Sequence, residues 1–366
     1  MTFRTLLTLS AFSAAPCAAL AGDIWIQGAG PETSGLSPAG TPTTSLGAFN
    51  VVITAGNSLQ ANAPALAAFE RAAATWESYI SDPVTVNINA DVLNLGAPTI
   101  LGQASSVMFA GGHNVIRNAM VADGVGESDD GVVALLPTAA QMSFTTAPGM
   151  TYAGNISISK ANAKALGFTG LDTVFGISDA SIEFNSAFAF DYDRSDGIAP
   201  GMFDFESVAL HEIGHALGFL SAVDDVDFAV SQNQTIEVQP TTLDLFRFAS
   251  GGAGNPTTAS EFTTGARNLE PGPAAIFDDL SLEAAFSTGF FGGDGRQASH
   301  WKDNGLTGVL IGSLDPTIAP QQVFVLSGAD LRAFDLIGWD IVSIPEPASM
   351  LLMSLGGLLF GIRRRR

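Results

Sequence analysis

His211-Glu212-Ile213-Gly214-His215-Ala216-Leu217-Gly218-Phe219-Leu220-Ser221 is the stretch from which the rest of this 366-residue chain can be read. Residues four apart on a helix lie one above the other, so His211 and His215 can aim two imidazole nitrogens at a single point. That arrangement suits a tetrahedral zinc ion. Glu212 follows the first histidine, where its carboxylate can reach a water in the metal's open position without ligating the metal itself, and it is the expected general base. The chain has only four histidines, and two of them bracket a glutamate at ligand spacing. The flanks fit a buried helix. Asp204 is placed to cap its start and Glu206 suits the positive end of its dipole. Val208, Ala209, Leu210, Ile213, Ala216 and Leu217 fill its apolar faces, and Gly218 stands where it should stop. An ordinary buried helix with two hydrogen-bonded histidines is the plainer alternative.

Composition bounds the rest. With 46% hydrophobic and 14% charged residues the chain can bury a sizeable core, and 40 glycines call for many turns. A net charge of −21 argues against nucleic acid as a partner, because phosphates are held by Lys and Arg. Met1 to Ala21 reads as a secretory signal, with Arg4 near the start, an apolar run from Leu6 to Ala15, and Ala19-Leu20-Ala21 as a small-x-small cleavage site. The single cysteine, Cys17, lies in that segment, so the processed chain is expected to carry no thiol and no disulfide.

At the other end, Pro345-Glu346-Pro347 precedes an apolar stretch from Ala348 to Ile362 and then Arg363 to Arg366. This three-part arrangement resembles the PEP-CTERM sorting tail of Gram-negative envelope proteins, which implies recognition and removal by an exosortase-type enzyme. The apolar stretch spans roughly 22 Å as a helix, short of the ~30 Å hydrocarbon core, so membrane contact is expected only through this tail before processing. The four arginines hold that end at the cytoplasmic face. The expected organisation is a signal at 1–21, one domain at 22–342 and the sorting tail at 343–366. The destination is then the cell surface, outer envelope or extracellular matrix.

In chain order, Phe49 to Ile53 reads as a strand and Ala63 to Ile80 as a helix, with Leu66, Phe69, Ala73, Trp76 and Ile80 at helical spacing. Val84 to Ala90 alternates as a half-buried strand. Val132 to Leu136 and Ile156 to Ser159 are further candidate strands, and Ala180 to Asn185 alternates again. His113 sits in a Gly-rich context and reads as a loop histidine rather than a ligand. Asp191, Asp193 and Asp196 precede Gly197 and could hold calcium, although the glycine comes one place late for an EF-hand loop and no glutamate follows at the required distance. A solvated turn is the other reading. Ser327 to Gly338 reads as a terminal helix. No internal repeat marks a second domain.

His-Glu-x-x-His-x-x-Gly at 211–218 resembles the opening of the metzincin metalloprotease signature, in which the glycine turns the chain so that a third ligand arrives from below. The resemblance implies an α+β catalytic domain. Its upper half, about 22–218, would be a twisted mixed sheet with two long helices. Its lower half, about 219–342, would be irregular and end in a C-terminal helix. It also implies zinc-dependent cleavage of polypeptides, with Glu212 as base and Ala180 to Asn185 as an edge strand lining the cleft. The sequence departs from the pattern at Ser221, where most of the family carries its third histidine. His300, followed by Trp301 and then by Ser313-Leu314-Asp315-Pro316, matches a leishmanolysin-like late ligand, with Leu314 in place of the methionine of the turn under the metal. Asp224, Asp225 and Asp227 are closer in sequence and remain rival third ligands. A non-catalytic envelope or matrix binding protein that retains a degenerate fold of this type is the competing functional reading.

Overall fold

The computed structural model describes residues 25–28, 32–34, 48–127, 130–152 and 154–342. The signal segment and the sorting tail lie outside the described residues. Among the described residues, no helix is long and apolar enough to cross a membrane.

The architecture is α+β. Five strands, β1 (Trp25–Gly28), β2 (Asn50–Ala55), β3 (Thr85–Leu93), β4 (Ile100–Ser106) and β5 (Ala180–Asn185), form one mixed sheet in the order β1-β4-β5-β3-β2. Strands β2, β3 and β5 run parallel, β4 runs antiparallel to β5, and β1 lies parallel to β4 on the outside. Alternation in β3 turns Val86, Ile88 and Ala90 into the core. They share one core with α1 (Ala63–Tyr79), which Asn62 caps by accepting from the Ala65 amide. Phe69, Ala72, Ala73 and Trp76 line the buried face of α1, and the Trp76 indole donates to the Leu210 carbonyl of α2 (Phe205–Leu217) at 3.1 Å. A buried indole N–H requires a partner, and this bond sets the helix pair in register.

Three expectations need correction. Ala180–Asn185 is an interior strand, paired on both sides, so it cannot offer an open edge. The strand that runs above the site helix is β4, and its outer edge carries β1. Residues 132–136 do not form a strand; Asp130–Leu135 is a 3-10 turn. Arg117 takes the carbonyls of Ala134 and Leu136, which a neighbouring strand would otherwise need. The lower half is also more regular than the resemblance implies. Glu283–Phe286, Ala275–Asp278, Arg247–Ala249, Arg267–Asn268 and Phe144–Thr145 form a second five-stranded sheet. Helix α3 (Val223–Ser231) follows α2 closely, and α4 (Gly328–Leu336) closes the fold behind a Ser327/Asp330 capping box.

Candidate metal centre

The centre of the molecule is built on α2. Asp204 caps the helix by accepting from the Ser207 amide, and Gly218 ends it at φ +120°. The amide of Phe219 returns to the Gly214 carbonyl at 3.1 Å and that of Gly218 to His215 at 3.1 Å, the two bonds of a Schellman turn. A side chain at 218 would be strained by that φ, and its Cβ would meet Asn162 Cβ at 3.0 Å. The turn also has a chemical consequence. It brings the Phe219 carbonyl to 2.8 Å from His215 Nδ1.

The same device recurs at each of three histidines. His211 Nδ1 donates to the Ser313 carbonyl at 2.8 Å, and His300 Nδ1 donates to the Gln297 carbonyl at 3.2 Å. A carbonyl can only accept, so all three Nδ1 atoms carry the proton and each neutral ring is left with a lone pair on Nε2. Those Nε2 atoms converge at separations of 2.9 Å (His211–His215), 3.1 Å (His211–His300) and 3.1 Å (His215–His300). With no proton to share, three lone pairs at that distance repel one another unless a cation lies among them. Bonds of about 2.05 Å at the tetrahedral angle would hold nitrogens about 3.3 Å apart, so a first-row metal fits with little adjustment. All three rings are fully buried. Burial pushes His211 and His300 well below the ordinary imidazole range and His215 down to about 4, and the neighbouring rings add to this at His211 and His300. The imidazoles are thus neutral and ready to ligate.

Glu212 completes the group. Both of its carboxylate oxygens are buried, and neither has a hydrogen-bond partner among the described residues. Burial raises its carboxyl well above the usual range. A buried carboxylate left without partners is costly to a fold and marks a functional position. Gly102 of β4 makes the room for it, since a Cβ there would lie 2.9 Å from Oε1.

Leu314 packs against the histidine helix. It is fully buried, and a Cβ on Gly214 would meet its Cδ1 at 3.0 Å. One residue that the sequence reading missed holds this segment. Asp330, the capping residue of α4, accepts from the Ser313 amide at 2.7 Å and from the Trp301 indole at 2.7 Å. The Ser327-x-x-Asp330 spacing announces the cap, but not its reach to the residues beside His211 and His300.

The remaining candidates are placed elsewhere. Asp224 and Asp227 spend their carboxylates on backbone amides, Asp224 at Ala298 and Ser299 and Asp227 at Phe291 and Gly292. Asp225 is exposed. Ser221 is buried and donates to Asp244. Asp191 and Asp193 accept amides of their own loop, and the set Asp191, Asp193, Asp196 does not converge as a ligand group. His113 opens the helix His113–Asp123, with one ring nitrogen on the Pro137 carbonyl and the other on the Tyr152 hydroxyl. Among the described residues, one other group could hold a cation, formed by Glu127, Asp130 and Asp335. Arg332 already pairs with two of those carboxylates.

A PEP-CTERM protein-sorting motif matches residues 343–366. With it come export to the cell envelope of a Gram-negative bacterium and processing by an exosortase-type enzyme. No curated protein matches the chain. No solved structure matches it either.

Proposed function

We propose that the chain is an exported, zinc-dependent endopeptidase with a metzincin-type catalytic domain. One observation carries the reading. Three neutral imidazoles present unshared Nε2 lone pairs to one point, beside a buried glutamate whose oxygens have no hydrogen-bond partner among the described residues. Zinc held by His211, His215 and His300 would polarise a substrate carbonyl and lower the pKa of a bound water. Glu212 would accept the proton of the attacking water and pass it to the leaving amine. Burial raises its carboxyl well above the usual range, the direction that favours holding a proton between the two transfers. The carbonyls of Ser313, Phe219 and Gln297 hold the rings in the ligating tautomer. Strand β4 runs over the helix with its outer edge paired to β1, so an extended polypeptide could lie along β4 only where β1 is displaced.

The sheet order, the late histidine and Leu314 against the helix support the metzincin assignment. Zinc is preferred because three imidazoles and an open position match its catalytic sites. A purely binding role would not require an unpartnered carboxylate next to the ligands. The sorting motif supports action at the cell surface or in the surrounding matrix. The test is hydrolysis of an unstructured polypeptide by the purified mature chain, with and without a chelator. The control is Glu212→Gln, expected to keep zinc and lose about 10²–10⁴ in turnover. An equally active variant would exclude Glu212 as the base, and activity untouched by chelation would exclude the metal.

A further inference from the structure

The third histidine poses a problem of placement. In the signature, a link of two residues after the glycine delivers the ligand, and its position follows from the covalent chain. Here the chain ends α2 at Gly218, passes Ser221 and runs through 222–298 before it returns. A connection of that length fixes nothing by itself, because the entropy of closing a loop grows only slowly with its length. Yet the ends meet. The Ser221 amide donates to Ser299 Oγ at 2.9 Å, so His300 emerges beside the position from which the short link would have supplied it.

Two aspartates make this junction. Asp244 gathers the outgoing strand, accepting from Ser221 Oγ at 2.6 Å, the Ala222 amide at 2.8 Å and the Thr241 amide at 2.9 Å. Asp224, near the start of α3, gathers the returning strand. Its two oxygens accept from the Ala298 amide at 2.6 Å, the Ser299 amide at 3.0 Å and the Ser299 hydroxyl. Buried Arg247 donates to the Ala298 carbonyl at 3.3 Å, so that residue is held from both sides. The two residues before His300 thus have both amides tied to one carboxylate.

We infer that Asp224 is the positioning residue for the third metal ligand: it sets His300 Nε2 by clamping Ala298 and Ser299, in place of the short covalent link. The inference rests on the metal reading above. Asp227 provides a matched control. It lies on the same helix, is as fully engaged with backbone amides, and holds Phe291 and Gly292, a turn that does not lead directly into His300. Charge-assisted bonds of this kind are similar in strength, so losing either should lower the stability of the metal-free protein comparably.

The experiment measures zinc affinity by competition with a chromogenic chelator, and the melting temperature of the metal-free protein, for the full mature chain, Asp224→Asn and Asp227→Asn. Asp224→Asn is expected to bind zinc about 10- to 100-fold more weakly, the usual effect of removing a group that orients a ligand. Asp227→Asn is expected to stay within about threefold of the parent. Ser299→Ala, a milder cut at the same clamp, should weaken binding in the same direction and serves where Asp224→Asn does not fold. Parent-like affinity in the folded clamp variants, or equal losses in the Asp224 and Asp227 variants, would overturn the positioning role. A parent chain that takes up no zinc would instead remove the metal reading, and this inference with it.

Discussion

Replacing His300 with alanine tests the ligand set most directly, because the structure gives each of three donors an equivalent share. The Nε2 triangle has sides of 2.9, 3.1 and 3.1 Å, so no histidine is peripheral. Zinc sites built from protein ligands are worth on the order of 10–16 kcal/mol, and one donor of three then accounts for about 3–5 kcal/mol. That is roughly two to four powers of ten in Kd. The assay is thermal unfolding with and without zinc. At a free zinc concentration of ~1,000 Kd, binding stabilises the native state by about 4 kcal/mol. Unfolding entropy of roughly 2.1 cal/mol/K per residue over about 300 ordered residues gives about 0.6 kcal/mol/K, so the parent should gain about 6 °C. At the same zinc concentration, which lies between about ten times and about a tenth of its own Kd, His300→Ala should gain about 2 °C at most. Each protein is read against its own metal-free melting temperature, which removes the effect of the lost side-chain volume. His113→Ala, in the histidine that spends both ring nitrogens on Pro137 and Tyr152, should keep the full gain. A parent-like gain in His300→Ala, or its loss in His113→Ala, would refute the three-histidine assignment.

Other consequences are open to simpler measurements. Leu314→Met should be nearly neutral and Leu314→Ala should lose about 2–5 kcal/mol in denaturant unfolding, since a fully buried side chain packs there against Gly214. Gly102→Val should leave zinc binding intact but depress turnover at least about tenfold by crowding Glu212, a loss that steady-state rates with zinc analysis would reveal. A chain beginning at Ala48 lacks β1 and frees the outer edge of β4, so it should cleave an unstructured polypeptide faster than the mature chain; equal or slower rates would mean β1 does not obstruct that edge. Stability should fall as pH rises from about 4 to 9. Burial and then neighbouring carboxylates lift Asp82 to about 7, Asp123 to about 9 and Asp335 to about 7, while Glu127 rises to about 8 through burial and its bond with Asp340. Folded pKa values above the unfolded ones give stability that is complete below about 4 and is lost as pH passes through the folded values. Asp123→Asn should flatten that decline in urea midpoints measured from about pH 5 to 9.

What could be read in advance follows from how local each signal is. Helix α2 declares itself within one short stretch: a cap at Asp204, apolar faces, ligands four apart, and a glycine at φ +120° where only glycine is comfortable. Helix α1 and strands β2, β3 and β5 were legible for the same reason, because their periodicities are written in consecutive residues. Strand order was not legible. Ala180–Asn185 alternates as an edge strand would, but whether a half-buried strand has one neighbour or two depends on β4, which arrives from 80 residues away in sequence. The stretch 132–136 misled because its valines are buried by tertiary contacts while Arg117 satisfies its carbonyls, neither of which a propensity sees. His300 was legible as chemistry and not as geometry. A histidine followed by Trp301 and a Leu314 turn suggests a ligand, but its arrival at His211 and His215 depends on residues that look unremarkable in sequence. Asp224 and Asp227 were weighed as metal ligands because carboxylates near a metal helix invite that reading. In the fold, their negative charge is used on backbone amides of the returning loop, at Ala298 and Ser299 for Asp224 and at Phe291 and Gly292 for Asp227.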